Sequence, residues 1–227
     1  MILGPCVVIK CPHCSELHKY RTLSSGNTFG AVLWSDGKFY ADMLPEPPSV
    51  VCCESCGGVY WLKDAERIGN TMIGSASLRP DAIEENPNYE ISWEFAPYVV
   101  EASEAKYYEA LKAGMYRSAD DEIMLRILTW QKHNNRFRDQ GFWEILSWDS
   151  QNSFENENRD NMEALLKLLN PDNPDDTLLR IDLLRNLGRF EEALEVLKSL
   201  DDGFEERFTE IFRGLCENRN ASLQVLN

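Results

Sequence analysis

Two closely spaced cysteine pairs place the strongest constraint on how this chain can fold. They read Cys11-Pro-His-Cys14 and Cys53-Glu-Ser-Cys56, and 38 residues separate Cys14 from Cys53. Two residues between cysteines let a tight turn aim both sulfurs at one ion, and a second such turn completes a tetrahedral shell. Thiolates suit zinc, whose binding adds folding energy to a small domain. We therefore predict one structural Zn²⁺ per chain, held by these four cysteines without an open position for catalysis.

At the second pair, Cys52 is an alternative to Cys53 as metal ligand. Cys52 lies three residues before Cys56 and can replace Cys53, although the spacing from Cys53 is the better one for a zinc turn. If Cys53 is the ligand, we expect Cys52 to lie on the opposite face of its strand as a buried small hydrophobe. Three further candidate ligands are expected to have structural or surface roles instead: Cys6, His13 and His18. Rubredoxin-type sites hold iron with four cysteines in similar turns, so iron also remains open.

Short apolar segments around the cysteine pairs predict a β-rich region. Residues 7–9 lead into the first pair, and residues 50–51 and 59–62 flank the second pair as two strands joined by a turn would. After the first pair, residues 15–20 show only weak helical periodicity. Between the pairs, the Asp-Gly turn at residues 35–37 predicts a hairpin formed by residues 29–34 and 38–43.

Over residues 6–64 the chain resembles the zinc-ribbon family. The resemblance implies a small β-rich domain with a structural zinc ion. Ribbon turns usually have glycine directly after the second cysteine, where a positive φ is needed. Gly57 fits this position, but Ser15 follows Cys14, and the insert between the pairs is longer than in minimal ribbons.

The rest of the chain is predicted to be helical after a short connector. Residues 79–102 contain Pro80, Pro87 and Pro97 and predict a connector with one strand around residues 89–95. Ser103 and Ser118 are typical helix caps, and Gly114 is a typical helix stop. The predicted helices cover residues 103–113, 118–133, 142–148, 161–169, 177–187, 190–200 and 204–216.

Residues 161–216 resemble a tetratricopeptide repeat. The resemblance depends on Gly188 at a turn between two helices, followed by Phe190 and then by the small Ala193. Leu200 departs from the family, where a small alanine is usual, so a generic helical hairpin remains the alternative. Repeats of this type bind peptides when several stack. Three arginines are candidate groove residues but are expected on a solvated face instead: Arg180, Arg185 and Arg189.

The charge distribution separates the two predicted regions. Residues 1–78 contain six Lys or Arg against seven Asp or Glu, whereas residues 79–227 contain 17 against 31. Nucleic-acid binding depends on clustered cations, so the acidic region disfavours it. No apolar run approaches the roughly 20 residues that a membrane-spanning helix needs. The N-terminal segment lacks the basic residues of a signal peptide, and we expect a cytoplasmic protein.

Together these features predict an α+β chain, with a zinc ribbon at residues 1–78, a connector at residues 79–102 and an acidic helical domain at residues 103–227. Phosphate-binding loops, nucleophile elbows and zinc-protease motifs are missing from the sequence. We therefore expect a zinc-binding protein-interaction adaptor or regulatory factor without catalytic activity. A protein partner is predicted, and its identity is left open.

Two other functions remain as alternatives. The first is a nucleic-acid or transcription-associated ribbon. Its candidate contact residues are Lys10, Lys19, Arg21, Trp34, Lys38, Tyr40 and Trp61. The second is a thiol–disulfide oxidoreductase, because Cys11-Pro-His-Cys14 resembles the active-site motif of the thioredoxin superfamily. That alternative predicts a helix after Cys14 and a strongly depressed pKa for Cys11.

Overall fold

The computed structural model describes residues 1–71, 90–138, 154–200 and 206–226. Small antiparallel sheets in the N-terminal part are followed by helices, which confirms the α+β fold class. The chain divides into two compact units. The first consists of Met1–Ala31 and Ala41–Lys106, and the second of Val32–Tyr40 and Tyr107–Asn227. Residues 32–40 therefore fold with the helices, although they lie between the two cysteine pairs in the sequence.

Eight strands form three small sheets. The strands are β1 (Ile2–Lys10), β2 (Leu17–Ser25), β3 (Val32–Leu33), β4 (Phe39–Tyr40), β5 (Val50–Cys52), β6 (Val59–Trp61), β7 (Glu66–Asn70) and β8 (Val100–Glu101). In the first unit the strand orders are β2-β1-β7 and β6-β5-β8, and all neighbours are antiparallel. In the second unit β3 pairs with β4. Each cysteine pair follows one strand of an antiparallel pair and precedes the other.

Strand β2 is the main element that the sequence pattern does not reveal. Residues 15–20 have weak helical periodicity, but Leu17–Ser25 pairs with β1 along its length. Its side chains include His18 and Lys19, which are both buried although both are polar. A strand that buries polar residues lacks the alternation of apolar and polar side chains by which strands are identified in a sequence.

The strand predicted around residues 89–95 is wrong. Ile91–Phe95 forms a short 3₁₀ helix, and the strand comes later, at Val100–Glu101. Trp93 is the buried residue of this helix. A Cβ atom at Gly69 would lie 2.3 Å from the Trp93 ring, so the glycine in β7 makes room for the indole. The 3₁₀ helix at Ile91–Phe95 thus places the Trp93 ring against Gly69 of β7.

Six α-helices are described. They are α1 (Glu104–Lys112), α2 (Ala119–Arg138), α3 (Glu155–Leu168), α4 (Pro174–Asn186), α5 (Phe190–Lys198) and α6 (Glu206–Glu217). The predicted caps are confirmed, because Ser103 Oγ accepts from the Lys106 N–H and Ser118 Oγ accepts from the Asp121 N–H. Gly114 has a φ of 65° at the end of α1. The helix predicted at residues 142–148 lies outside the described residues.

The core of the second unit forms where successive helices pack. Consecutive helices from α3 to α6 contact one another, and α4 also contacts α6. Gly188, with a φ of 76°, forms the turn between α4 and α5. Ala193 is fully buried, as expected for a small residue that lets two helices approach closely. The helical hairpin predicted here is present, and the repeat assignment stays a prediction.

Arg185 is fully buried, so the expectation that it lies on a solvated face is wrong. Its guanidinium donates to Asp182 from Nε and Nη2, to the carbonyl oxygens of Asn220 and Ser222 from Nη1, and to the Ser35 hydroxyl from Nη2. Each of the five N–H groups of the guanidinium thus has one acceptor. The arginine therefore joins α4, the C-terminal segment and the β3–β4 turn inside the second unit.

Asp36 forms a second buried polar contact of the β3–β4 turn. Its carboxylate accepts from Asn134 Nδ2 at 2.8 Å and from the Arg138 guanidinium, and its carbonyl accepts from Gln131 Nε2 at 3.0 Å. All three donors belong to α2. The hairpin predicted from the Asp-Gly turn is confirmed, with Gly37 at a φ of 75°. Its position within the helical unit follows from these long-range polar contacts.

Candidate metal centre

The first cysteine pair lies in a tight loop between β1 and β2, which we call the first knuckle (residues 11–16). Two backbone hydrogen bonds close it. The Ser15 N–H donates to the Cys11 carbonyl at 2.9 Å, and the Cys11 N–H donates to the Glu16 carbonyl at 2.9 Å. Ser15 has a φ of 65°, in the left-handed region that favours glycine. The serine thus adopts the conformation that the zinc-ribbon resemblance requires of a glycine.

The second cysteine pair lies in an equivalent loop between β5 and β6, the second knuckle (residues 53–58). The Gly57 N–H donates to the Cys53 carbonyl at 2.7 Å, and the Cys53 N–H donates to the Gly58 carbonyl at 2.9 Å. Gly57 has a φ of 71°. The two knuckles therefore share one backbone conformation, and Gly57 occupies the position that Ser15 has in the first.

The knuckles bring four sulfurs together. The Sγ atoms of Cys11, Cys14, Cys53 and Cys56 all lie within 4.8 Å of one another. The Cys11–Cys56 distance is 3.9 Å, and the Cys14–Cys53 distance is 3.7 Å. Sulfurs held at about 2.3 Å from a tetrahedral zinc ion lie about 3.8 Å apart. The spacing and the all-thiol donor set therefore fit a four-coordinate metal ion.

Cys52 lies outside this sulfur cluster. Its side chain is half-buried, and its Sγ lies 3.6 Å from the Gly57 carbonyl oxygen and 3.9 Å from the Cys53 carbonyl oxygen. The expectation that Cys52 is a buried small hydrophobe is therefore wrong. Of the two neighbouring cysteines, Cys53 is the one that reaches the other three thiols.

The three other candidate ligands, Cys6, His13 and His18, lie outside the set of four clustered sulfurs and make contacts within the fold. Cys6 is buried in β1, where its thiol lies 3.6 Å from the Tyr98 hydroxyl. His13 Nε2 lies 3.1 Å from the Val59 carbonyl oxygen, and His18 Nε2 lies 3.3 Å from Cys53 Sγ. Both imidazoles thus contact the opposite hairpin, and the His18 contact to a ligand sulfur is one that sequence reasoning missed.

The thiols of the cluster differ in their electrostatic environment. Burial opposes ionisation of Cys53, but the Cys56 N–H, the His18 side chain and the Ser55 N–H outweigh it and lower the pKa of this thiol to about 6. At Cys14 the Glu16 N–H favours the thiolate, but desolvation and the neighbouring thiols outweigh it and raise its pKa to about 12. A metal ion that binds all four thiolates must therefore displace protons from this cluster.

The cluster is also part of the first unit's core. Cys11 and Cys53 are buried together with Val7, Ile9 and Val51. Tyr60 belongs to the same apolar core, and burial, together with the charge of the Cys11 thiolate, raises the pKa of its hydroxyl. Cys14 and Cys56 are exposed. One cysteine of each pair thus faces the core and the other faces solvent.

Two observations disfavour thiol–disulfide catalysis at Cys11. The residues after Cys14 form strand β2, so the thiolate has no helix N-terminus to stabilise it. Burial raises the pKa of Cys11, although the N–H groups of His13 and Cys14 oppose this. The oxidoreductase alternative predicts the opposite shift.

Three of the residues proposed for nucleic-acid contact lie in the first unit and are either buried or hydrogen-bonded there: Lys19, Arg21 and Trp61. Lys19 is buried, and its Nζ donates to the Glu94 carbonyl at 2.6 Å. Arg21 donates to the Tyr98 hydroxyl at 2.5 Å, and Trp61 is buried. Lys19 and Trp61 are thus buried within the fold, whereas Arg21 is exposed.

Within the second unit, a groove of about 370 Å³ lies among α3, α4 and α5. Arg180 and Arg189, which are expected from the sequence on a solvated face, both line it and are half-buried. Arg189 forms ion pairs with Glu163 and Glu192, at 3.3 and 2.5 Å. The groove also contains Lys167, which is exposed.

The chain matches no protein-family model, no curated protein and no solved structure. Among the described residues, no helix is both long enough and apolar enough to cross a membrane.

Proposed function

We propose that this protein is a zinc-binding adaptor or regulatory factor that acts by binding another protein and has no catalytic activity. The observation that carries the metal part is the cluster of four sulfurs within 4.8 Å, presented by two knuckles of equal backbone conformation. A shell of four thiolates leaves no position for a water or a substrate, which is typical of structural zinc. His18 Nε2 lies 3.3 Å from Cys53 Sγ, but both side chains are buried, so this imidazole–thiol pair offers a substrate no access.

Zinc is proposed over iron because closed four-cysteine sites are the usual arrangement of structural zinc. Four thiolates suit both metals, and a closed tetrahedral site is the commonest zinc arrangement. Each metal has a distinct signature, since iron in such a site absorbs visible light and zinc does not. The metal part of the proposal is therefore open to direct measurement.

Metal content of the reduced full-length protein tests this part of the proposal. Native mass spectrometry with elemental analysis should give one zinc per chain. Cys53→Ser should abolish stoichiometric binding, whereas Cys52→Ser should retain it, because Cys52 lies outside the sulfur cluster. Equal metal content in the two variants, or no metal in the wild type, would contradict the proposed ligand set.

The adaptor part is supported by the groove and by the charge of the helical region. Residues 79–227 carry 31 acidic against 17 basic side chains, which favours a basic protein surface as partner. The groove presents Lys167 and two arginines among three glutamates, so its rim offers groups of both signs to a peptide. Charged rims of this kind contribute specificity and association rate more than affinity.

Partner capture with matched charge reversals tests the adaptor part. Lys167→Glu changes an exposed groove residue, and Arg213→Glu makes the same change at an exposed position of α6 away from the groove lining. Quantitative pull-down should show a several-fold change in capture of the partner for Lys167→Glu alone, because it reverses a charge at the groove. Equal capture by both variants would exclude the groove, and turnover of a substrate by a protein without a stable partner would exclude the adaptor function.

A further inference from the structure

His18 is a buried histidine that touches the candidate metal centre without being a ligand. It lies near the start of β2, directly opposite Ile9 of β1, and its side chain is 2% exposed. Its Nε2 atom lies 3.3 Å from Cys53 Sγ. When Cys53 binds a metal ion its sulfur has no proton, so the imidazole must be the donor of this hydrogen bond.

The four sulfurs differ in their access to solvent. Cys11 and Cys53 are 1% and 0% exposed, and both belong to the apolar core of the first unit. Cys14 and Cys56 are exposed. Among the described residues, the edge that Cys14 and Cys56 form is therefore the side of the site that a competing chelator or an electrophile meets first. The hydrogen bond from His18 lies on the opposite, buried side.

We propose that His18 is a positioning residue that makes Cys53 the anchor ligand, and that metal exchange starts at the Cys14–Cys56 edge. The inference rests on the proposed metal binding. An N–H donor takes electron density from a thiolate sulfur, which makes that sulfur less reactive towards electrophiles and fixes its direction. Partners of this kind commonly change metal affinity 10- to 100-fold when they are removed.

His13 provides a matched control because it contacts the same region without touching a ligand sulfur through its side chain. Its Nε2 atom lies 3.1 Å from the Val59 carbonyl oxygen, and the residue is exposed. A Cβ atom at Gly58 would lie 2.4 Å from the His13 ring, so this ring also packs on the second knuckle. Replacement of His13 therefore perturbs the packing of the knuckles but leaves the hydrogen bond to Cys53 intact.

The first test uses full-length protein loaded with Co²⁺ or Zn²⁺. Wild type, His18→Phe, His18→Gln and His13→Asn are compared by the sulfur-to-cobalt charge-transfer band and by the rate of zinc transfer to a coloured chelator. His18→Phe should move the band to lower energy and accelerate transfer by about 10- to 100-fold. His18→Gln restores an N–H donor and should recover part of both effects, and His13→Asn should leave the band unchanged.

The second test does not depend on whether the His18 variants fold. Zinc-loaded protein with Cys52→Ser, which removes the neighbouring thiol outside the sulfur cluster, is treated with N-ethylmaleimide and mapped by mass spectrometry. Cys14 and Cys56 should be modified first and Cys53 last. Early modification of Cys53, or an unchanged band and transfer rate in folded His18→Phe, would overturn the inference while metal binding stands. Absence of metal from the wild type would instead overturn the proposed function, and this inference with it.

Discussion

The two units of this protein contain buried polar groups of different kinds, and they differ in what neutralises them. In the first unit, the described core cluster contains six buried residues, two of which are cysteines of the metal site. In the second unit, the corresponding cluster contains fourteen buried residues, and its buried charges, such as Asp182 and Arg185, neutralise each other. The buried thiols of the first unit could therefore hold an ion from solution, whereas the buried Asp182 and Arg185 of the second unit pair with each other.

Metal removal should produce the largest difference in stability between the two units. A structural zinc ion contributes on the order of 10 kcal/mol in small domains, and the first unit has only a small apolar core to replace it. In reduced, chelator-treated protein, hydrogen–deuterium exchange should accelerate in β1, β2, β5 and β6. Helices α3 to α5 should keep their protection. Full protection of the first unit without metal would show that its core is sufficient alone.

Loss of Arg185 should have the largest effect within the second unit. Arg185→Ala leaves the Asp182 carboxylate buried without its counterion, a change that typically costs about 3–5 kcal/mol. Urea unfolding followed by helical circular dichroism measures this loss. Arg180→Ala is the control, because Arg180 is half-buried and, among the described residues, donates to the Leu166 and Leu169 carbonyl oxygens at 3.4 Å. Equal losses in both variants would refute a special role for the buried pair.

The two knuckles offer a smaller and more local comparison. Gly57→Ala introduces a Cβ at a φ of 71° and should destabilise the zinc-loaded first unit by about 1 kcal/mol. Ser15→Gly relieves the same strain at a φ of 65° and should stabilise it by up to about 1 kcal/mol. Ser15→Ala, which keeps the Cβ, serves as control for the hydroxyl. Changes of the same sign in Gly57→Ala and Ser15→Gly would contradict the equivalence of the knuckles.

The pH dependence of the buried pair gives the smallest expected effect. Burial raises the pKa of Asp182, and the charge of Arg185 opposes this without reversing it. A raised pKa in the folded state means that the stabilising contribution is complete below the unfolded pKa, near 4, and is lost as pH rises through the folded value.

The stability difference between wild type and Asp182→Asn should therefore fall as pH increases from 4 to 7. Urea unfolding at several pH values measures it, with the exposed Asp172→Asn as the baseline for general charge effects. A difference that grows with pH would mean that the ion pair with Arg185 outweighs burial.

Much of the metal site could be predicted because its information is local. The spacing of each cysteine pair determines how a tight turn presents its sulfurs, and the caps at Ser103 and Ser118 act within one helical turn. Strand β2 could not be predicted, since His18 and Lys19 are polar and yet buried. Their burial depends on partners that the local pattern does not contain.

The sequence alone determined the four-cysteine spacing, the α+β order of elements and the turn at Asp36-Gly37. Only the tertiary structure decided that this turn belongs to the helical unit, because its partner Arg185 lies 150 residues from Ser35 in the chain. It also decided that Cys53 joins the sulfur cluster, and that His18 supports it. These outcomes depend on which side chains meet after folding, whereas spacing and turn chemistry act within a few residues.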